Sequence, residues 1–114
     1  MNEKASLTDE DPVFVRGKTI LVFSIDGCDP CTALAQYMRE QDWERDQIAV
    51  RYIKFVPGDD QIRGLIRRFK VPTYPTVVFL RDGDEVRKFS GFSPGDTLDE
   101  HLDWIGFRGT GLNR

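Results

Sequence analysis

Two runs along this chain are apolar at nearly every position. Thr19-Ile20-Leu21-Val22-Phe23-Ser24-Ile25 and Thr76-Val77-Val78-Phe79-Leu80-Arg81 do not alternate with polar residues, the pattern of strands covered on both faces of a sheet. Ile48 to Val56 is rich in β-branched and aromatic residues and predicts a third strand. Asp82-Gly83 is a hairpin signal. Glu85 to Gly91 should return antiparallel, with Val86 and Lys88 alternating against Arg87 and Phe89. Between these runs the period changes to that of a helix. Leu34, Tyr37 and Met38, with Ala33 and Ala35, form an apolar stripe on a helix from about Cys28 to Gln41. Ile62, Leu65, Ile66 and Phe69 do the same over Gln61 to Phe69, after a turn at Pro57-Gly58-Asp59-Asp60 that supplies a cap. The opposite face carries Arg63, Arg67 and Arg68, which fits a solvated face and, alternatively, a patch that steers partners.

The ends are less regular. Lys4 to Leu7 fits a short edge strand. Thr8 offers a hydroxyl N-cap, Asp9, Glu10 and Asp11 an acidic first turn, and Pro12 an early helical position, so a short helix is expected to about Val15. A last helix should start at Ser93-Pro94 and cover the sheet with Leu98, Leu102, Trp104 and Ile105. The predicted order is β-α-β-α-β-α-β-β-α, an α/β fold with a mixed sheet of about five strands and helices on both faces.

Composition narrows the picture. The 114 residues are 39% hydrophobic and 31% charged, enough for one domain with its own core and neither disordered nor membrane-embedded in character. We expect a single domain over residues 1–106 and a flexible glycine-rich tail over 107–114; Phe107 can fold back onto the body, but nothing in the sequence requires it. The net charge of −3 argues against a general nucleic-acid binder. Met1 to Leu7 lacks an apolar core of signal-peptide length and no run approaches a membrane span. A cytoplasmic monomer without cofactor or membrane contact is expected.

The chain's two cysteines are Cys28 and Cys31, in Cys28-Asp29-Pro30-Cys31, between a buried strand and a helix start. That placement describes a redox dithiol. Backbone N–H groups at the helix N-terminus favour the thiolate of the first sulfur, and the thiolate is the species that attacks disulfides. One helical turn brings the two sulfurs within bridging reach. A zinc site is poorly served, because two cysteines and the single distant His101 leave the usual four ligands incomplete. A purely structural bridge would close a very small loop and stabilise least. Two unrelated buried thiols are the remaining alternative.

The element order, with the dithiol between a central strand and the next helix, resembles the thioredoxin family. Leu7-Thr8-Asp9, Ile20-Leu21-Val22-Phe23, Val71 to Phe79, Arg81 to Glu85 and Ser90-Gly91-Phe92 each look like a family segment, so the resemblance spans about Leu7 to Ile105. It implies a thiol–disulfide oxidoreductase that reduces protein disulfides through Cys28 and Cys31. On spacing alone Pro75 fits either a cis proline or a trans proline starting a strand; the resemblance implies cis, with Tyr74 presenting its backbone to a substrate chain. Gly27, Asp29, Pro30, Tyr74, Pro75, Gly91 and Phe92 are then the expected substrate-binding residues, Pro30 stiffening the loop. Phe92 fits a groove rim or a plain strand-end aromatic. Expected partners are disulfide-bearing proteins and a recycling system, either a thioredoxin-reductase-like enzyme or glutathione.

Three departures from the family pattern stand out. Gly27 replaces a tryptophan and removes an apolar lip. Val22 falls where the family has a buried acid, which leaves the general base for the second thiol unnamed; Asp26 is near in sequence but on the rim. Asp29 replaces a glycine, opposing the Cys28 thiolate while complementing the helix N-terminus. Two other functions compete with the reductase. A glutaredoxin-like enzyme needs cations for the glutathione carboxylates, for which Arg68 and Lys70 are the candidates. A thioredoxin-like accessory module would bind without turnover and has no need of two cysteines. His101 reads as surface structure, and Trp43 as helix-end packing.

Overall fold

The computed structural model describes residues 16–93, 98–104 and 106–107. β1 (Lys18–Ser24) leads into α1 (Asp29–Arg39), followed by β2 (Ile48–Lys54), α2 (Asp60–Arg68), β3 (Thr76–Arg81), β4 (Asp84–Ser90) and a short α3 (Asp99–Trp104). Over these residues the predicted order holds. The expected first strand, first helix and start of the last helix lie outside the described residues, so the described sheet has four strands where about five were expected, in the order β2-β1-β3-β4. β1 and β2 are parallel; β1–β3 and β3–β4 are antiparallel.

The uninterrupted apolar runs have the reason their pattern suggested. β1 and β3 are the inner strands and are covered on both faces. Ile20, Val22, Val77 and Phe79 face Leu34 and Met38 of α1, together with Leu98, Leu102 and Phe107. Leu21, Phe23, Val78 and Leu80 face Leu65 of α2 and Phe69. A bulge between Phe79 and Leu80 shifts β4, leaving Val86 exposed while Phe89 packs on Phe79. The Asp82–Gly83 turn has positive φ at both residues, 51° and 88°, the backbone that a two-residue hairpin requires.

Local chemistry closes the helices. Asp59 caps α2 by accepting from the Ile62 N–H at 3.0 Å, and Lys88 Nζ donates to the carbonyls of Phe69 and Lys70 at the other end. Trp43 packs beyond the end of α1, its indole N–H donating to the Met38 carbonyl at 2.8 Å. His101 is half-buried rather than simply at the surface: it stacks on Phe89 and its Nδ1 accepts from Arg87 Nε at 2.6 Å. No helix among the described residues is long and apolar enough to cross a membrane.

Phe107, expected to open a flexible tail, is fully buried. Gly106 takes φ 76° and the Phe107 N–H reaches back to the Leu102 carbonyl at 2.9 Å, the Schellman end of a helix. Its ring meets Phe79 edge-on, and its carbonyl accepts from Lys18 Nζ at 2.6 Å. The signal was in the sequence: a glycine after the last helical turn followed at once by a large apolar residue. Residues 108–114 lie outside the described part. We expect Phe107→Ala to lower stability by about 3–5 kcal/mol, as for other buried phenylalanines, measured by urea denaturation; an unchanged midpoint would contradict this role.

Candidate active site

β1 ends at Ser24, and the chain crosses Ile25, Asp26 and Gly27 to reach the helix. Cys28 is the N-cap of α1 with an extended backbone, φ −111° and ψ 105°. Pro30 sits in the first turn, where its missing N–H costs nothing, and Asp29 complements the positive end of the helix. Cys28 and Cys31 are joined as a disulfide, their Cα atoms 5.2 Å apart. The sulfurs are unequal. Cys31 lies in the α1 stripe with Leu34 and Met38 and is 6% exposed. Cys28 is half-buried at the surface end, and its Sγ accepts from the Cys31 N–H at 3.2 Å. When the bridge is open, that same amide stabilises a Cys28 thiolate.

Across from the disulfide lies the Val71 to Pro75 segment. The Tyr74–Pro75 peptide is cis. The Tyr74 carbonyl oxygen is 3.9 Å from Cys28 Sγ; a disulfide sulfur carries no proton, so this is a packing contact. Thr76 anchors the segment by donating to the Thr73 carbonyl at 2.7 Å, with Ser90 Oγ also 2.7 Å from its hydroxyl. The Gly91 N–H donates to the Pro75 carbonyl at 2.9 Å. Pro75 is buried, and the Tyr74 ring leans on Phe55. Burial raises the Tyr74 phenol above its ordinary pKa. Among the described residues no hydrogen bond occupies the Tyr74 backbone N–H.

The structure thus gathers Gly27, Cys28, Asp29, Pro30, Cys31, Tyr74, Pro75 and Gly91 at one end of the sheet. Phe92 departs from the expected rim. It is only 8% exposed, its ring packed on Tyr37 within the core. Arg68 lies over the Phe69 ring at 4.8 Å and Lys70 is exposed at the end of α2; neither lines the cavity beside Cys31. Among the described residues no group of three or more His, Cys, Asp or Glu could hold a metal.

That cavity, about 270 Å³, reaches Cys31 and is not lined by Tyr74. Ser24, Asp26, Gly27, Cys31, Thr32, Arg39 and Lys54 are among its lining residues. Val22, at the position of the family's buried acid, is sealed in the core at 1% exposure. Lys54 had no sequence signal. It arrives because the parallel register sets it opposite Ser24, where it pairs with Asp26 at 2.8 Å.

A family model described as a thioredoxin-like domain matches residues 16–105. A thioredoxin of Staphylococcus epidermidis is 28% identical over 100 residues, covering 88% of this chain and 93% of that protein. Among solved structures, Fasciola hepatica thioredoxin superposes with a TM-score of 0.64 at 24% identity, over 79% of this chain and 82% of that one. The oxidised mitochondrial thioredoxin 3 of Saccharomyces cerevisiae gives 0.65 at 17%, over 81% and 82%. The chain belongs to the thioredoxin-like family. Its closely spaced disulfide and its thioredoxin relatives identify the chemistry as thiol–disulfide oxidoreduction.

Gly27 has a backbone reason for replacing a larger residue. Its φ is 73°, although a Cβ there would meet nothing within 4 Å. Gly27→Ala should therefore cost about 1–2 kcal/mol through strain alone, read from urea denaturation of the oxidised protein; no loss would mean that the loop relaxes freely.

Proposed function

We propose that this chain reduces disulfide bonds in protein substrates, with Cys28 as the attacking sulfur and Cys31 as the resolving one. The observation that carries this reading is the unequal disulfide at the start of α1, its outer sulfur set against Tyr74. Cys28 is reachable and receives a helix N-terminal N–H, whereas Cys31 is buried behind it. An incoming disulfide meets the Cys28 thiolate and forms a mixed disulfide. Cys31 then attacks Cys28 Sγ, releases the reduced substrate and restores the bridge. The substrate backbone runs antiparallel along Tyr74, whose N–H is left without a partner among the described residues. Gly27, Asp29, Pro30, Pro75 and Gly91 surround that chain. Exposed Gly27 in place of a bulky lip gives substrates wide access.

A thioredoxin-reductase-like enzyme or glutathione returns the pair to the dithiol. We place the protein in the cytoplasm as a monomer, its domain reaching one residue past the expected 1–106 to take in Phe107. Cys31→Ser should accumulate a covalent mixed disulfide with a peptide disulfide, visible by mass spectrometry. Cys28→Ser should lose turnover by roughly 100-fold or more. Partner binding that survives replacement of both cysteines, in a protein that shows no turnover to begin with, would favour the accessory-module reading instead.

A further inference from the structure

Resolution requires the buried thiol of Cys31 to lose a proton, and burial disfavours the thiolate. At 6% exposure Cys31 has little direct contact with solvent, and the strand residue Val22 offers no acceptor. The cavity of about 270 Å³ touches Cys31 and is roomy enough for several waters. Its lining narrows the choice of acceptor. Arg39 and Lys54 are cations and have no site for another proton, the hydroxyls of Ser24 and Thr32 are weak bases, and Asp26 is a carboxylate. Lys54 Nζ holds Asp26 Oδ1 at 2.8 Å, which keeps the carboxylate beside the cavity although its side chain is 83% exposed. Asp29, the other acid of the loop, does not line the cavity.

We propose that Asp26, held by Lys54 at the mouth of this cavity, accepts the Cys31 proton through a water during resolution. The inference rests on the reductase reading above. In the step, the Cys31 proton passes through water to the Asp26 carboxylate and from there to solvent. The Cys31 sulfur forms its bond to Cys28 Sγ, and the bond from Cys28 to the substrate sulfur breaks. The substrate leaves as a thiolate and takes a proton from water. Two electrons pass from the protein dithiol to the substrate disulfide. Lys54 and Arg39 add positive charge along the wall and favour the Cys31 thiolate as it forms.

The test is single-turnover kinetics on a peptide disulfide across a range of pH, with formation and resolution of the mixed disulfide followed separately. Asp26→Asn should slow resolution by about 10–100-fold, at or below the low end for acid–base groups because a water intervenes. Formation, the Cys28 step, should keep its wild-type rate, and the acid-side limb of the resolution profile should disappear. Asp26→Glu should restore both rate and limb. Resolution at the wild-type rate in Asp26→Asn would overturn the proposal. So would a slowing that is equal at every pH, the mark of a structural effect. A wild-type protein that forms no mixed disulfide at all would instead overturn the reductase reading on which the proposal rests.

Discussion

The register between β1 and β3 is the constraint on which the site depends. Both strands are apolar on both faces, so alternation of side chains does little to choose between one register and the next. The choice is pinned at the far end of the sheet. Gly17 N–H donates to Asp82 Oδ1 at 2.7 Å, and the Asp82 N–H donates to the Gly17 carbonyl at 2.8 Å. With the hairpin turn tied to the start of β1, pairing runs down to Phe23 opposite Thr76. At that end Tyr74 meets Cys28, 46 positions away in the chain. A slip of one residue would move the Tyr74–Pro75 segment by about 3.4 Å, nearly the whole separation between its carbonyl and the sulfur.

Around the disulfide, protection and access fall to different groups of residues. On the Tyr74 side the backbone is ordered by Thr76, Ser90 and Gly91. A polar cavity that Tyr74 does not line reaches the buried sulfur. Val22 leaves no carboxylate at that place in the core, which avoids the cost of burying one, and Asp26 and Lys54 near Cys31 lie toward solvent instead. Gly27 belongs to the same compromise. Its left-handed backbone carries the chain from β1 into the N-cap, and a side chain at that φ would be strained.

Much of the architecture was legible in one dimension because its causes are local or periodic. Continuous apolar runs marked inner strands, the stripe of Leu34 and Met38 a helix face, Asp59 a cap and Asp82-Gly83 a hairpin. The core reaches past α3 to Phe107, beyond the boundary that the glycine-rich tail suggests. The Gly106 helix end was written locally, but the space that the ring fills is made by Phe79 and Leu102. Phe92 fits either a rim or a strand-end aromatic in the sequence, and the strand end turns its ring onto Tyr37.

The cysteine spacing, the helix start and the proline at position 75 belong to the amino-acid sequence alone, because each acts over a few neighbouring residues. The partners across the site do not. Lys54 reaches Asp26 through a parallel strand pairing, and Tyr74 reaches Cys28 through an antiparallel one. Which residues meet across strands depends on register, and register is settled only when both faces of the sheet have been covered and its ends tied. The chain therefore carries its redox pair in a stretch of four residues, while the folded sheet chooses the groups that stand around it.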